Sequence, residues 1–190
     1  NPAQDIISHA ANPLALHLYE DVYRVFYSGR NIENKSSVGY CDVDVVKNCV
    51  ITPPTGPVFS HGEEGTFYSH GVSIGNIYQQ HENKYILFMG WNYEKGSHWR
   101  GDVGRLQLKE NSELSLVGSR PFFGMDNEDQ ISLSYPFVLK EEGIYKMWYG
   151  STTTWDGGNG EMVHVIKYAE SVDGEHWEKK GIAIPYEINV

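Results

Sequence analysis

The chain has 190 residues, with 15 lysines and arginines against 25 aspartates and glutamates, and so carries a formal net charge of −10. Hydrophobic residues make up 40% and aromatic residues 13% of the chain, which provides a core and excludes extensive disorder. No segment has the ~18 consecutive apolar residues of a membrane-spanning helix, and no basic cluster offsets the acidic balance, so we expect neither membrane nor nucleic acid as a partner. No secretory signal is visible, and the compartment stays open, with a cytoplasmic location preferred.

The chain has only two cysteines, Cys41 and Cys49, too few for a disulfide framework and without the CxxC spacing of a structural zinc site. We expect two packed free thiols, with a disulfide as the alternative. The eight histidines show no HxH or HxxxH spacing, and the sequence contains no nucleotide-binding glycine motif. The sequence therefore predicts neither a metal site nor a cofactor.

Short apolar runs rich in Val, Ile, Tyr, Phe and Trp alternate with polar turns along the whole chain, which predicts an all-β fold. In three segments a tyrosine leads an alternating strand that runs into a glycine. The segments are VYRVFYSGRN from Val22, KYILFMGWNY from Lys84 and IYKMWYGSTT from Ile144. Their tyrosines, at positions 23, 85 and 145, recur at intervals of about 60 residues, which indicates an internal repeat.

Each repeat has a strand-like run before the tyrosine-led strand and another behind it. Short fourth strands are expected at 49–51, 114–117 and 176–178. Four antiparallel strands in about 60 residues form the unit of a β-propeller blade. The sequence thus predicts a partial propeller domain over 1–190, with blades at approximately 8–55, 66–120 and 130–185. Propellers close with about 4–8 blades, so the remaining blades are expected from the same longer chain or from partner chains. A β-sandwich is the alternative.

Four stretches resemble the five-bladed propellers of the glycoside hydrolase clans that contain arabinanases, xylosidases, fructosidases and mannoside phosphorylases. They are HGEEGTFYSHGV from His61, KYILFMGW from Lys84, YPFVLKEEGIYKMWYGS from Tyr135 and IKYAESVDGEHW from Ile166. The last is the most specific, because an AxSxDGxxW ending recurs on the blades of these proteins. The resemblance implies a five-bladed propeller, with about three blades in this chain, whose central pocket takes a saccharide or glycoconjugate.

In such enzymes, the resemblance implies, three carboxylates project into the central channel from the innermost strands of the first three blades. The corresponding positions here hold Asn12, Ser69 and Ser134, and no acid lies within two positions of any of them. Ordinary glycoside hydrolysis needs an acid and a second carboxylate. Two hypotheses stay open: glycosyl hydrolysis or transfer with a displaced acid, or an inactive sugar-binding or scaffolding module.

Several acids elsewhere are candidates for such a displaced catalytic group. They are Asp102, Glu128, Asp129, Asp156 and Glu161. The charge run 126–129 contains two of them, and its simpler interpretation is a solvated loop between blades.

Two loops at equivalent places in blades two and three combine aromatic with polar residues: WNYEKGSHWRGD from Trp91 and STTTWDGGNGE from Ser151. Aromatic faces stack on sugar rings while polar groups bond hydroxyls, so the loops favour a carbohydrate-binding rim, with plain packing as the alternative. Arg100 would suit a carboxylate or phosphate on the ligand. Two histidines are also candidates: His70 at the start of blade two and His164 behind the second loop. The predicted substrate-binding residues are Asn12, Ser69, His70, Trp91, Arg100, Ser134, Trp155 and His164.

Overall fold

A computed structural model describes residues 5–93 and 98–186. The regular structure in this part of the chain is β, in twelve strands. The strands are β1 (Ser8–Tyr19), β2 (Val22–Arg30), β3 (Ser36–Asp44), β4 (Cys49–Phe59), β5 (Gly71–Gln80), β6 (Asn83–Tyr93), β7 (Trp99–Leu108), β8 (Leu114–Leu116), β9 (Leu133–Glu141), β10 (Ile144–Thr154), β11 (Val163–Ser171) and β12 (Glu178–Ile184). None of the described residues belongs to a helix with the length and hydropathy needed to span a membrane.

The strands form three antiparallel meanders of four, which we call blade 1 (β1–β4), blade 2 (β5–β8) and blade 3 (β9–β12). Each tyrosine-led segment is the second strand of its blade, because the alternating apolar pattern gives it two buried faces. The prediction of an all-β fold built from four-stranded propeller blades is confirmed.

The hydrophobic core lies between the blades. On β6, Ile86 and Phe88 face a cluster shared with blade 1, whereas Leu87 faces a cluster shared with blade 3, because successive side chains on a strand point to opposite faces. Blade 1 also meets blade 2 through a parallel bridge between Ser36 and Gly71. Blade 2 is therefore packed on both faces, which fixes the starts of the three blades relative to one another.

The AxSxDGxxW segment anchors blade 3 to blade 2. Glu175 receives two hydrogen bonds from the guanidinium of buried Arg105, at 2.6 and 2.7 Å. The Asp173 carboxylate accepts the backbone N–H groups of Glu175 and His176, each at 2.8 Å. The hydrogen bond with the His176 side chain, followed by these two backbone bonds, lowers the pKa of Asp173. This turn keeps His176 and Trp177 out of the sheet, so the fourth strand of blade 3 is present but begins at Glu178, two residues later than predicted.

The two cysteines are both free thiols. Cys41 is half-buried on β3, but Cys49 is exposed at the start of β4, so the expectation of a packed thiol is wrong at that position. Val50 and Ile51, the apolar residues that follow Cys49, do not keep it buried. Cys49 lies on β4, the outermost strand of blade 1, which has a neighbouring strand on one side only.

Candidate functional site

The blade starts surround a concave site of about 340 Å³, here called the rim groove. Blade 1 contributes the end of β2 and the loop behind it, blade 2 contributes β5, β6 and β7, and blade 3 contributes the start of β9. The residues that line the rim groove are Arg30, Asn34, Ser73, Met89, Trp91, Tyr93, Trp99 and Tyr135.

Trp91 is held rigidly in the wall of the rim groove. Its Nε1–H donates to Ser36 Oγ at 3.0 Å, and that hydroxyl donates to the Val72 carbonyl at 3.1 Å. A side chain at Gly71 would collide with the indole, because an added Cβ would lie 2.2 Å from Trp91 Nε1. The absence of a side chain at this position lets the indole pack against the backbone, so its orientation is set before any ligand arrives.

Arg30 ends β2 and brings the only positive charge among the described residues that line the groove. Its Nη1 donates to Asn34 Oδ1 at 2.7 Å, and its guanidinium carbon lies 5.8 Å from the Trp91 ring centroid. No carboxylate among the described residues forms a salt bridge with Arg30, whereas Arg24 is paired with Asp42 at 2.8 Å. The guanidinium therefore keeps donor groups for a ligand.

His70 does not line the rim groove but contacts Tyr93, which does. Its Nδ1 accepts the backbone N–H of Tyr93 at 3.3 Å and lies 3.1 Å from Ser69 Oγ. Burial, helped by the nearby charge of Lys35, lowers the pKa of His70, so the ring is neutral at pH 7. Because Nδ1 faces a backbone donor, we assign the proton to Nε2. The histidine thus positions Tyr93.

The described parts of the two aromatic-polar loops predicted to form a ligand rim meet in the structure, whereas residues 94–97 of the first loop lie outside the described residues. Trp155 of blade 3 stacks on His98 of blade 2, with ring centroids 4.9 Å apart and an interplanar angle of 13°. It also makes an edge contact with Trp99, at 5.9 Å. Trp155 therefore supports Trp99, which lines the rim groove, rather than lining it itself.

A second concave site of about 320 Å³, here called the inner groove, follows the innermost strands. Its lining residues are Asn12, Pro13, Leu14, Ile74, Gly75, Asn76, Tyr135, Pro136 and Phe137. Asn12 and Tyr135 each precede a proline and have positive φ angles, 54° and 44°. The residue before proline is disfavoured in this helical part of backbone space, and tyrosine rarely has a positive φ at all. Backbone strain therefore recurs at the starts of blades 1 and 3, and Tyr135 lines both grooves.

The described residues that line the two grooves include no aspartate or glutamate. Asp129 is 1% exposed and binds the ammonium groups of Lys167, at 2.8 Å, and Lys179. Burial opposes ionisation of Asp129, but the two lysines and the Ser151 hydroxyl outweigh it and lower its pKa. The expectation of a solvated loop at 126–129 is wrong for Asp129.

The other four acid candidates also lie outside both grooves. Asp102 is buried on β7 and accepts the Met125 N–H at 3.1 Å, and burial raises the pKa of its carboxyl. Asp156 lies in an exposed loop, where its carboxylate accepts hydrogen bonds from the backbone N–H groups of two glycines of the same loop, at 2.7 and 2.8 Å. Glu128 and Glu161 are exposed.

The remaining predicted binding residues are dispersed. Ser134 is buried beside Gly150, and Arg100 is exposed on β7 without lining either groove. His164 Nδ1 lies 3.1 Å from Thr152 Oγ1, and burial lowers its pKa. No group of three or more histidine, cysteine, aspartate or glutamate residues within 5–93 and 98–186 is arranged to hold a metal ion.

Arg30, Asn34 and Ser73 line the rim groove but are not among the residues predicted to form the site. A signal for Arg30 was present, because it follows the repeat glycine of blade 1 as Trp91 follows that of blade 2. Equivalent positions in repeated blades reach the same end of the propeller, so the second position pointed to the first.

No protein-family model matches the chain. The uncharacterized protein Rv1502 of Mycobacterium tuberculosis (strain ATCC 25618 / H37Rv) is 37% identical over 174 residues, which are 91% of this chain and 58% of that protein. The uncharacterized protein MT1551 of the strain CDC 1551 / Oshkosh matches with the same values. The chain thus spans 58% of the length of these curated relatives.

Solved structures of glycoside hydrolases share the fold. Sucrose-6-phosphate hydrolase from Lactobacillus gasseri has a TM-score of 0.66 at 12% identity, over 91% of this chain and 34% of that chain. Zg3597, a family 117 glycoside hydrolase of Zobellia galactanivorans, has a TM-score of 0.67 at 13% identity, over 90% and 55%. A thermostable family-43 glycoside hydrolase has a TM-score of 0.60 at 18% identity, over 88% and 52%. At these identities the similarity shows the fold alone: the chain has the blade architecture of the propeller glycoside hydrolases.

Proposed function

We propose that the protein binds a saccharide or glycoconjugate in the rim groove. The observation that carries this proposal is the composition of the groove wall. Trp91, Tyr93 and Trp99 from blade 2 and Tyr135 from blade 3 surround a space that Arg30 borders. Flat aromatic faces pack on the C–H faces of sugar rings, and a few fixed polar groups select hydroxyls, which is the usual division of labour in a small-molecule site.

Binding, rather than hydrolysis, is the function that the geometry favours. Cleavage of a glycosidic bond uses two carboxyl groups on either side of the anomeric carbon, about 5–10 Å apart. The described groove-lining residues supply none. Asp129, the most deeply buried acid candidate, is neutralised by two lysines and so is a poor proton donor.

Glycosyl hydrolysis or transfer is the second candidate function, and the fold similarity to glycoside hydrolases supports it. The two candidates differ in one observable. A glycan that binds and stays intact during long incubation, as judged by mass spectrometry, supports recognition. Release of a shortened glycan would instead support catalysis by an acid outside the rim groove.

The binding proposal is tested on a glycan array followed by calorimetry with each glycan that binds. Tyr93→Ala removes a groove ring that is 47% exposed, and we expect a loss of affinity of about tenfold. Tyr19→Ala is the matched control. Tyr19 is 57% exposed and lies at the end of β1 that is away from the rim groove. Equal affinities of the two variants would place the glycan elsewhere, and no bound glycan in a broad array would contradict the proposal.

A further inference from the structure

The wall of the rim groove carries a positive charge, which aromatic stacking on a sugar does not require. The protein carries a formal net charge of −10, yet the described residues of the groove wall include one cation and no acid. The nearby cation Lys35 is paired with Glu33 at 3.2 Å. Arg30 therefore marks a local positive site on an acidic protein, which otherwise repels anions.

Arg30 differs from Arg24 and Arg105 in its bonding. Arg24 and Arg105 each form a two-bond fork with a carboxylate, Asp42 and Glu175 respectively. Among the described residues, the Arg30 guanidinium has only the neutral Asn34 oxygen as a hydrogen-bond partner, on one of its five N–H donors. Asn34 orients the guanidinium without neutralising it, so the fork that suits a carboxylate or phosphate is left for a ligand.

The dimensions of the groove restrict what that ligand is. A space of about 340 Å³ lies at the small end of ligand sites, so it suits one or two sugar residues rather than a long polymer segment. The guanidinium carbon lies 5.8 Å from the Trp91 ring centroid. A sugar stacked on the indole would thus place a charged substituent within reach of Arg30.

We infer that the rim groove selects an anionic saccharide, whose carboxylate or phosphate group is bound by Arg30 while its ring stacks on Trp91. This inference rests on the proposed saccharide-binding function and names its substrate class. A uronic acid and a sugar phosphate share the required chemistry, and the experiment separates them.

The experiment measures binding of the protein to an array of neutral, uronic acid and phosphorylated glycans, with inorganic phosphate alone as a further probe in calorimetry. We expect binding to one anionic class, at least tenfold tighter than to its neutral counterparts, and weakening with added salt. Arg30→Gln lowers the affinity for the anionic glycan by roughly tenfold to a hundredfold. Arg30→Lys, which keeps the charge but not the fork, retains part of the affinity.

Arg120→Gln is the charge-matched control and keeps the affinity of the original protein, because Arg120 is exposed outside both grooves. Neutral glycans that bind as tightly as anionic ones, with no effect of Arg30→Gln, would overturn the inference while leaving saccharide binding intact. A loss caused by Arg100→Gln instead, or equally tight binding of inorganic phosphate alone, would also overturn it. Absence of binding to every glycan would contradict the proposed function itself.

Discussion

Asn76 on the innermost strand of blade 2 pairs its side-chain amide with both backbone groups of Val138 on the innermost strand of blade 3. Asn76 Nδ2 donates to the Val138 carbonyl at 2.8 Å, and Asn76 Oδ1 accepts the Val138 N–H at 2.9 Å. A side chain thus takes the place of a neighbouring strand where the two sheets do not join. Because Tyr135 lies three residues before Val138, this pair also sets the position of Tyr135 in the rim groove.

The first prediction concerns the Asn76→Asp variant, whose ionised carboxylate accepts the Val138 N–H but repels the Val138 carbonyl. Leaving that buried carbonyl unpaired costs about 1–3 kcal/mol of unfolding free energy at pH 7. Burial and the facing carbonyl raise the folded-state pKa of the introduced carboxyl above its unfolded value of about 4. The folded state then binds more protons, so the contribution to stability is present below pH 4 and is lost as pH rises through the folded-state pKa.

Urea unfolding from pH 4 to 8 measures this dependence. Asn76→Ala is the control, because it loses both hydrogen bonds to Val138 and gains no titrating group, so its deficit relative to the original protein is expected to be constant with pH. A deficit of Asn76→Asp that is equally constant would contradict the assigned hydrogen bonds.

The second prediction separates structural from catalytic acids in the 126–129 run. Asp129→Asn leaves Lys167 without its ion pair inside blade 3 and is expected to lower the unfolding free energy by about 3 kcal/mol. Glu128→Gln is expected to change it by less than about 0.5 kcal/mol, because Glu128 is exposed. Thermal and urea unfolding of the two variants check this. Unchanged stability of Asp129→Asn together with lost glycan turnover would instead mark Asp129 as catalytic.

The third prediction is a pH dependence that His164 causes. Burial lowers the folded-state pKa of His164 below the value of about 6.5 expected for the unfolded chain. As pH falls through 6.5 the unfolded state takes up a proton that the folded state does not, so the folded protein loses stability. His164→Gln is expected to show a shallower loss of unfolding free energy between pH 7 and 5. His9→Gln, on an exposed side chain, serves as control, and identical slopes for all three proteins would contradict the assignment.

Much of the fold could be predicted from the sequence because its signals are local. The repeat of a leading tyrosine, alternating apolar residues and a closing glycine sets the second strand of each blade, and turn residues set its neighbours. The strand at 176–178 was misplaced for a local reason as well. The Asp173 carboxylate binds the following backbone N–H groups, which occupies donors that a strand would use.

The site was less predictable because it is assembled from different blades. Trp91 was predicted as a binding residue, but Arg30 lies near it only after blades 1 and 2 pack together. Asp129 looks like any acid in a charge run, and only the lysines of β11 and β12 reveal that it is buried and paired. By contrast, the aromatic loops were recognisable from composition, and their contact through Trp99 and Trp155 follows from their equivalent places in adjacent blades.

The central claim is that a saccharide occupies the rim groove, and the indole N–H signals of the protein test it most directly. The chain has five tryptophans, of which Trp91 and Trp99 line the groove. Trp177 directly precedes β12, which begins beside Glu170 at the opposite end of blade 3. In assigned two-dimensional ¹H–¹⁵N spectra, titration with the glycan that binds is predicted to move the Trp91 and Trp99 signals and to leave Trp177 unchanged. A bound glycan that moves Trp177 and leaves Trp91 and Trp99 in place would contradict the account.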